Sequence, residues 1–268
     1  KLKKDIANPV FYCPEMLREG ETASRDIWIT RHVFLSYDSS NHVDIGEYIS
    51  EIYPNGRKIS RYTFEELETL KLARNTYFGL RVSFFNEIHR ICNAKDVNIS
   101  HVMHLLGLDP LIGDHYNDVS FGFGGYCLPK DINELDLSVI GYHEVIPVIS
   151  NITRSNDSHI EFHAKRIIEM SGNTKTIVFY GVGFKKGSSN ITNSATVRII
   201  TKLLTETDKE IKVIDSTNTN FSTGDTRVKH ISEREIEDGD MIVTEWDEKY
   251  VHSLISDKQN CIVYHPKI

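Results

Sequence analysis

The residues most able to do chemistry lie in one run, Ser120–Asp131 (SFGFGGYCLPKD). Gly122, Gly124 and Gly125 let backbone come very close to a ligand. Cys127 ends that flexible stretch, Pro129 fixes the chain, and a helix is predicted to open at Asp131 (DINELDLSVI). The thiol then lies just ahead of a helix N-terminus and beside Lys130. Both features favour the thiolate, the nucleophilic form of cysteine.

A nucleophile needs partners held at fixed positions, and the strongest helix of the chain, predicted over Thr63–Asn93, can hold them. Thr63-Phe64-Glu65-Glu66 is a capping box. Leu67, Leu70, Tyr77, Leu80, Phe84, Ile88 and Ile91 then recur at three- and four-residue steps as an apolar stripe. A globular helix usually runs ~11–12 residues. One of this length spans two domains or forms a dimer seam. Lys71 and Asn75 are four apart and share one face.

Upstream, KLKKDIA reads as the end of an amphipathic helix and VFYC as a short buried strand. PEMLREGETASRD follows as a polar loop or helix start, HVFLSY as a second strand, and Asn41–Ile52 as a helix. Two short strands cannot build a core alone. They look like the last strands of a sheet, so a truncated chain is expected, without the GxGxxG turn of a first dinucleotide-binding unit. Downstream comes a short helix at Ser100–Leu106, closed by Gly107. The loop Asp109–Lys130 is long enough to mark a binding loop. Helices are predicted at Asp131–Ile140 and Val145–Gly172.

From Lys175 the pattern alternates. Strands are predicted at Thr176–Tyr180, Glu210–Asp215, Arg227–Ile231, Met241–Thr244 and Cys261–Tyr264, with helices at Ala195–Leu204, Glu233–Asp238 and Glu248–Ile255. That series predicts a parallel sheet covered on both faces. Gly181-Val182-Gly183-Phe184-Lys185 follows its first strand, where a nucleotide phosphate would sit.

The 268 residues suffice for two domains, with 40% hydrophobic and 26% charged residues. A net charge of −7 gives no reason to expect nucleic acid or an anionic membrane as partner. No apolar run approaches a membrane span. Cys13, Cys92, Cys127 and Cys261 lack CxxC spacing and read as reduced thiols of a cytoplasmic protein. His101 and His104 could share a helix face, but a surface helix explains them, and no metal is expected.

On these motifs the chain resembles the nucleotide-sugar 6-dehydrogenases, most closely the UDP-glucose 6-dehydrogenase branch of the UDP-glucose/GDP-mannose dehydrogenase family. CPEMLREGETA is similar to that family's SPEFLREG segment, and KLARNTYFGLRVSFFNE to its central-helix motif. GDHYNDVSFGFGGYCLPKD is similar to its sugar-nucleotide loop, with Tyr126 before the cysteine as in the shorter bacterial UDP-glucose enzymes. The resemblance runs from about Phe11 to Lys267. It implies an α/β fold: a remnant of an N-terminal Rossmann domain over 1–58, a helical middle and dimerisation domain over 59–172 with a long central helix, and a C-terminal Rossmann-like parallel sheet over 173–268 that binds UDP.

The resemblance also implies NAD as cofactor and the oxidation of UDP-glucose to UDP-glucuronate, with Cys127 holding a thioester. It gives Lys71 and Asn75 the oxyanion task and gives Asp131 and Glu15 acid–base and water-orienting work. Met16, Leu17, Arg18, Glu19, Tyr116, Asn117, Asp118, Val119, Ser120 and Gly124 would line the sugar nucleotide. Lys185 and Lys267 would meet its diphosphate or uridine end, and Glu19 and Lys130 would also touch NAD. A homodimer through the 63–93 helix is expected, and the chain alone is expected to be inactive. Family cations are replaced at Leu111 and Thr192, which should weaken anionic ligands, and a family acid is replaced at Ser189. This keeps open a GDP-mannose or other nucleotide-sugar 6-dehydrogenase, or a non-catalytic nucleotide-sugar binder.

Overall fold

The computed structural model of the chain describes residues 11–18, 23–36, 46–56, 58–142, 145–246 and 248–267. Two compact units divide it, residues 1–75 and 76–268. The helix end expected at 1–7 lies outside the described residues.

In the first unit, α1 (Ala23–Ile29) leads to β1 (His32–Ser36), α2 (Gly46–Ile52) and β2 (Lys58–Tyr62). The two strands pair in parallel, His32 opposite Lys58 and Ser36 opposite Tyr62. The sequence did not announce β2, whose partner lies far upstream. Its small core is Val33, Leu35, Ile49 and Tyr53, with Phe11, Cys13 and Ile27 against it. The strand expected at 10–13 is absent from the described residues 11–13. Tyr12 does accept the Ser36 N–H at 2.8 Å, but its own N–H goes to Ser36 Oγ at 2.6 Å, so a hydroxyl replaces the ladder.

The 31-residue α3 (Phe64–Ala94) starts at the expected capping box. Glu66 N–H donates to Thr63 Oγ1 at 3.1 Å and Thr63 N–H to Glu66 Oε2 at 2.8 Å. The unit boundary falls within this helix. In the second unit, α4 (Ile99–Leu108) is capped by Asn98, whose side chain accepts the His101 N–H at 3.2 Å. Gly107 lies inside α4 and does not end it. α5 (Cys127–Ser138) begins four residues earlier than expected, at the cysteine itself. The single helix expected at 145–172 is split into α6 (Pro147–Ser150) and α7 (Ile152–Ser171). The Asn151 amide, donating to Pro147 O at 2.7 Å, marks the break.

β3 (Thr176–Tyr180), α8 (Ala195–Glu206), β4 (Glu210–Ile214), β5 (Val228–His230), β6 (Met241–Thr244), α9 (Glu248–Leu254) and β7 (Ile262–Tyr264) complete the chain. The helix expected at 233–238 is one 3-10 turn, Glu233–Glu235. All five strands pair in parallel, in the order β5-β4-β3-β6-β7. One face buries Ile177, Phe179, Ile199, Leu203, Val213 and Tyr264, and the other Val178, Ile242 and Val251. The strands therefore read as continuous apolar runs. The chain leaves β3 toward β4 and later returns to its other side with β6. The crevice beyond the carboxyl ends of those strands is where such sheets bind ligands. Among the described residues no helix is long and apolar enough to cross a membrane.

Candidate active site

The loop between α4 and α5 carries the predicted residues Tyr116 through Ser120 and Gly124, and side chains from helices hold its backbone. Arg81 on α3 bonds His115 O at 2.5 Å, Ile112 O at 2.8 Å, Gly113 O at 3.0 Å and Asn117 Oδ1 at 2.5 Å. Tyr116, at φ 58°, stacks on Phe78 with centroids 4.6 Å apart. Asn86 accepts the Ser120 N–H at 3.1 Å and donates to Ser120 Oγ at 3.2 Å. Asn156 on α7 accepts the Phe123 N–H at 2.8 Å and returns its amide to Phe123 O at 3.0 Å.

The glycines are needed where the loop meets the β3–α8 turn. A Cβ on Gly124 would lie 2.3 Å from Asn193 O. Gly125, at φ 78°, donates its N–H to Thr192 O at 2.8 Å and accepts the Asn193 amide at 3.0 Å. Thr192, where the resemblance expects a cation, thus holds the loop through its backbone.

Cys127 emerges from this clamp exposed, as the first residue of α5. Asp131, one turn on and on the same face, is buried. Lys130 bonds Asp131 and, at 3.4 Å, Glu134. Its ammonium pKa is raised, first by the Asp131 hydrogen bond. Lys130 thus turns to its own helix's carboxylates.

Two further cavities gather predicted residues. One of about 380 Å³ is lined by Met103, Leu108, Asn117, Asp118, Val119 and Lys267, with Lys267 Nζ 3.8 Å from Asp118. The other, about 270 Å³, lies at the carboxyl ends of β3 and β4 and is lined by Gly181, Gly183, Lys185, Asp215 and Trp246. Burial pushes Asp215 up, but the N–H groups of Val182, Asn218 and Thr217 outweigh it and hold the carboxyl below its ordinary value. The Val182 bond is 2.8 Å and secures the glycine turn.

The first unit holds its own group. Lys71 bonds both the carboxylate and the backbone carbonyl of Glu15. Arg74 reaches Met16 O at 3.2 Å. Arg18 is committed to the buried Asp26, with Nη2 2.6 Å and Nε 3.0 Å from its oxygens, and its hydrogen bond is the main cause of that carboxyl's lowered pKa. Leu17 is half-buried and Asn75 is buried. Glu19 lies outside the described residues.

The sequence reading overlooked Arg81, Asn86 and Asn156. The available signal was a polar residue at a core position of a helix: Asn156 falls in phase with Ile152, Ile160 and Ile167, all buried.

A parallel sheet under helices, with a glycine turn at the carboxyl end of its first strand, is a nucleotide-binding α/β architecture. Residues 65–158 match the central domain of the UDP-glucose/GDP-mannose dehydrogenase family, and the chain belongs to that family. It is 33% identical over 215 residues to a UDP-glucose 6-dehydrogenase of Campylobacter jejuni, a match covering 80% of this chain and 53% of that one. A UDP-glucose 6-dehydrogenase of Streptococcus pneumoniae is 30% identical over 214 residues, 78% of this chain and 53% of the relative. The chain thus spans about half the length of these relatives. In fold it is similar to a UDP-glucose dehydrogenase from Pyrobaculum islandicum, at TM-score 0.78 and 22% identity over 96% of this chain and 60% of the other.

Proposed function

We propose that the protein oxidises UDP-glucose to UDP-glucuronate with NAD, through a thioester on Cys127. The observation that carries this is an exposed thiol at the first turn of α5, presented by a loop whose backbone is fixed on both sides. NAD, when bound, takes up the two hydrides lost by the sugar's sixth carbon. Cys127 Sγ adds to the aldehyde left by the first oxidation and gives a thiohemiacetal. Loss of the second hydride leaves a thioester, and water then displaces the sulfur, releasing the carboxylate and restoring the thiol. Holding the carbon on sulfur keeps the aldehyde from escaping.

Asp131, four residues from Cys127, orients the hydrolytic water. Lys71 and Asn75 take the oxyanion task, and Glu15, bonded to Lys71, holds that side chain in place and joins the proton transfers. Lys130, an ammonium half open to solvent, fits an anionic phosphate of NAD. Tyr116 through Ser120 and Gly124 are assigned to the sugar nucleotide, as are Met16, Leu17 and Arg18. Lys185 and Lys267 line separate cavities and serve the nucleotide's anionic end. The domain limits 1–58, 59–172 and 173–268 follow from this assignment. Tyr77, Phe84 and Ile91, seven apart on α3, are exposed at 54%, 52% and 50%, and this stripe supports a homodimer. A cytoplasmic location suits its free thiols.

The full-length protein given UDP-glucose and NAD should yield two NADH per UDP-glucuronate, these 268 residues alone should yield none, and Cys127→Ala in the full-length protein should end the reaction. Turnover of GDP-mannose in its place would reassign the substrate. UDP-glucose binding without NADH would favour a non-catalytic binder, a reading motivated by Leu111, Ser189 and Thr192, whose side chains are all exposed.

A further inference from the structure

Three histidines that this chemistry does not use meet inside the second unit. His89 comes from α3, and His159 and His163 from successive turns of α7; all are buried. One nitrogen from each lies within 4.8 Å of the other two. The spacing of four puts His159 and His163 on one face of α7, their rings edge to face with centroids 4.5 Å apart. His89 stacks on His163 at 5.8 Å between centroids. The sequence shows no zinc spacing because the third histidine comes from a different helix.

The hydrogen bonds show which nitrogens are occupied. His163 Nδ1 lies 2.6 Å from Tyr264 Oη. His159 Nε2 donates to Ser120 O at 2.8 Å and lies 3.0 Å from His163 Nε2. His159 Nδ1 and both ring nitrogens of His89 are buried with no hydrogen-bond partner. Buried polar atoms are rarely left so, and each unpaired one signals a missing partner. His159, anchored through Nε2 by a carbonyl with Nδ1 bare, is held as a histidine is held for a metal. Burial keeps all three neutral, the form that coordinates: His89 and His159 are pushed down to about 4, and His163 well below its ordinary value.

We propose that His89, His159 and His163 form a three-imidazole site for a borderline transition metal, with zinc as its ligand and a fourth position left for water. At a zinc–nitrogen distance of roughly 2.0–2.1 Å the ligands must close in from their present spread, which side-chain rotation allows. Neutral nitrogen donors exclude calcium and magnesium, which take oxygen ligands. Arg166, which bonds Asn93 Oδ1 at 3.0 Å, sets a positive charge against the cluster that opposes a cation, so the imidazole bonds must outweigh it. A cavity of about 380 Å³ lined by His89, Cys92, Asp96 and Arg166 gives the ion a way in. Because His159 also holds Ser120 O, a bound ion would tie α3 and α7 to the loop that presents Cys127.

The test strips the protein with EDTA, reloads it with Zn²⁺ and counts metal per chain, with Co²⁺ as a visible probe of geometry. The expected result is one retained zinc, tetrahedral Co²⁺ absorption, and an X-ray absorption fit with three imidazoles. His89→Ala should weaken zinc at least about 100-fold, more than the usual loss of an outer-shell partner. Replacing the exposed His101 and His104 of α4 by alanine should leave zinc binding unchanged. If circular dichroism shows His89→Ala unfolded, the imidazole count on the unaltered protein decides. No retained zinc, fewer than three imidazoles, or equal loss in the His101/His104 variant would overturn the site.

Discussion

Residues 112–126 and residues 11–18 both lack regular structure and both carry proposed site residues, yet they are held by different forces. Over 120–126, next to the thiol, the first is fixed by neutral amides: Asn86, Asn156 and Asn193 each bond loop backbone, and two of the three close a reciprocal pair of bonds, while the Arg81 guanidinium holds 112–117. The second is fixed largely by charge: Lys71 on Glu15, Arg18 on Asp26 and Arg74 on Met16 O. A buried amide bond is insensitive to salt, whereas an ion pair open to water is screened. The segment that presents the nucleophile therefore has the rigidity that catalysis of a fixed geometry needs.

The sharpest way to break this contrast is Gly124→Ala. The added methyl meets the Asn193 backbone at 2.3 Å, so the loop or the β3–α8 turn must move. The expected cost is about 1–3 kcal/mol in the melting free energy, with larger loss of kcat than of UDP-glucose affinity. Asn156→Ala comes next. It leaves the buried N–H and carbonyl of Phe123 unpaired, for about 1–3 kcal/mol, and hydrogen exchange should rise across 120–126 while 11–18 stays unchanged. Wild-type stability in the same loop is the control.

Asp215→Asn sharpens the comparison by adding a charged clamp inside the second unit. The Asp215 pKa is lowered in the fold, so its contribution is present above the ordinary aspartate value of 3.8 and is lost as pH falls through its folded value. Acid melts of wild type should therefore lose stability below about pH 4 more steeply than those of the variant. An identical acid limb in the two proteins would remove this role. The smallest effect is expected from Glu15→Gln. With Glu15 58% exposed, the ion pair is worth at most about 1 kcal/mol, and 1 M salt should mimic it by raising exchange in 11–18 alone.

The elements that the sequence announced are those whose signal is local. The capping box of α3, the apolar runs of β3, β4 and β6 and the glycine cluster before Cys127 each specify themselves within a few residues. What it hid depends on distant partners. Phe123 is held by Asn156, 33 positions on, and Ser120 by Asn86, 34 positions back. β2 pairs with a strand 26 positions earlier, since Lys58 faces His32. Gly107 was expected to stop α4, but the helix continues through it and ends at the Asp109 cap instead. Lys130, next but two to the thiol in sequence, bonds the carboxylates of Asp131 and Glu134.

The most direct measurement is mass spectrometry of the full-length protein quenched in acid during turnover with UDP-glucose and NAD. The peptide bearing Cys127 should carry a UDP-glucuronyl group that hydroxylamine removes. UDP-glucuronate formed at full rate with that peptide unmodified, or by Cys127→Ala, would contradict the thioester.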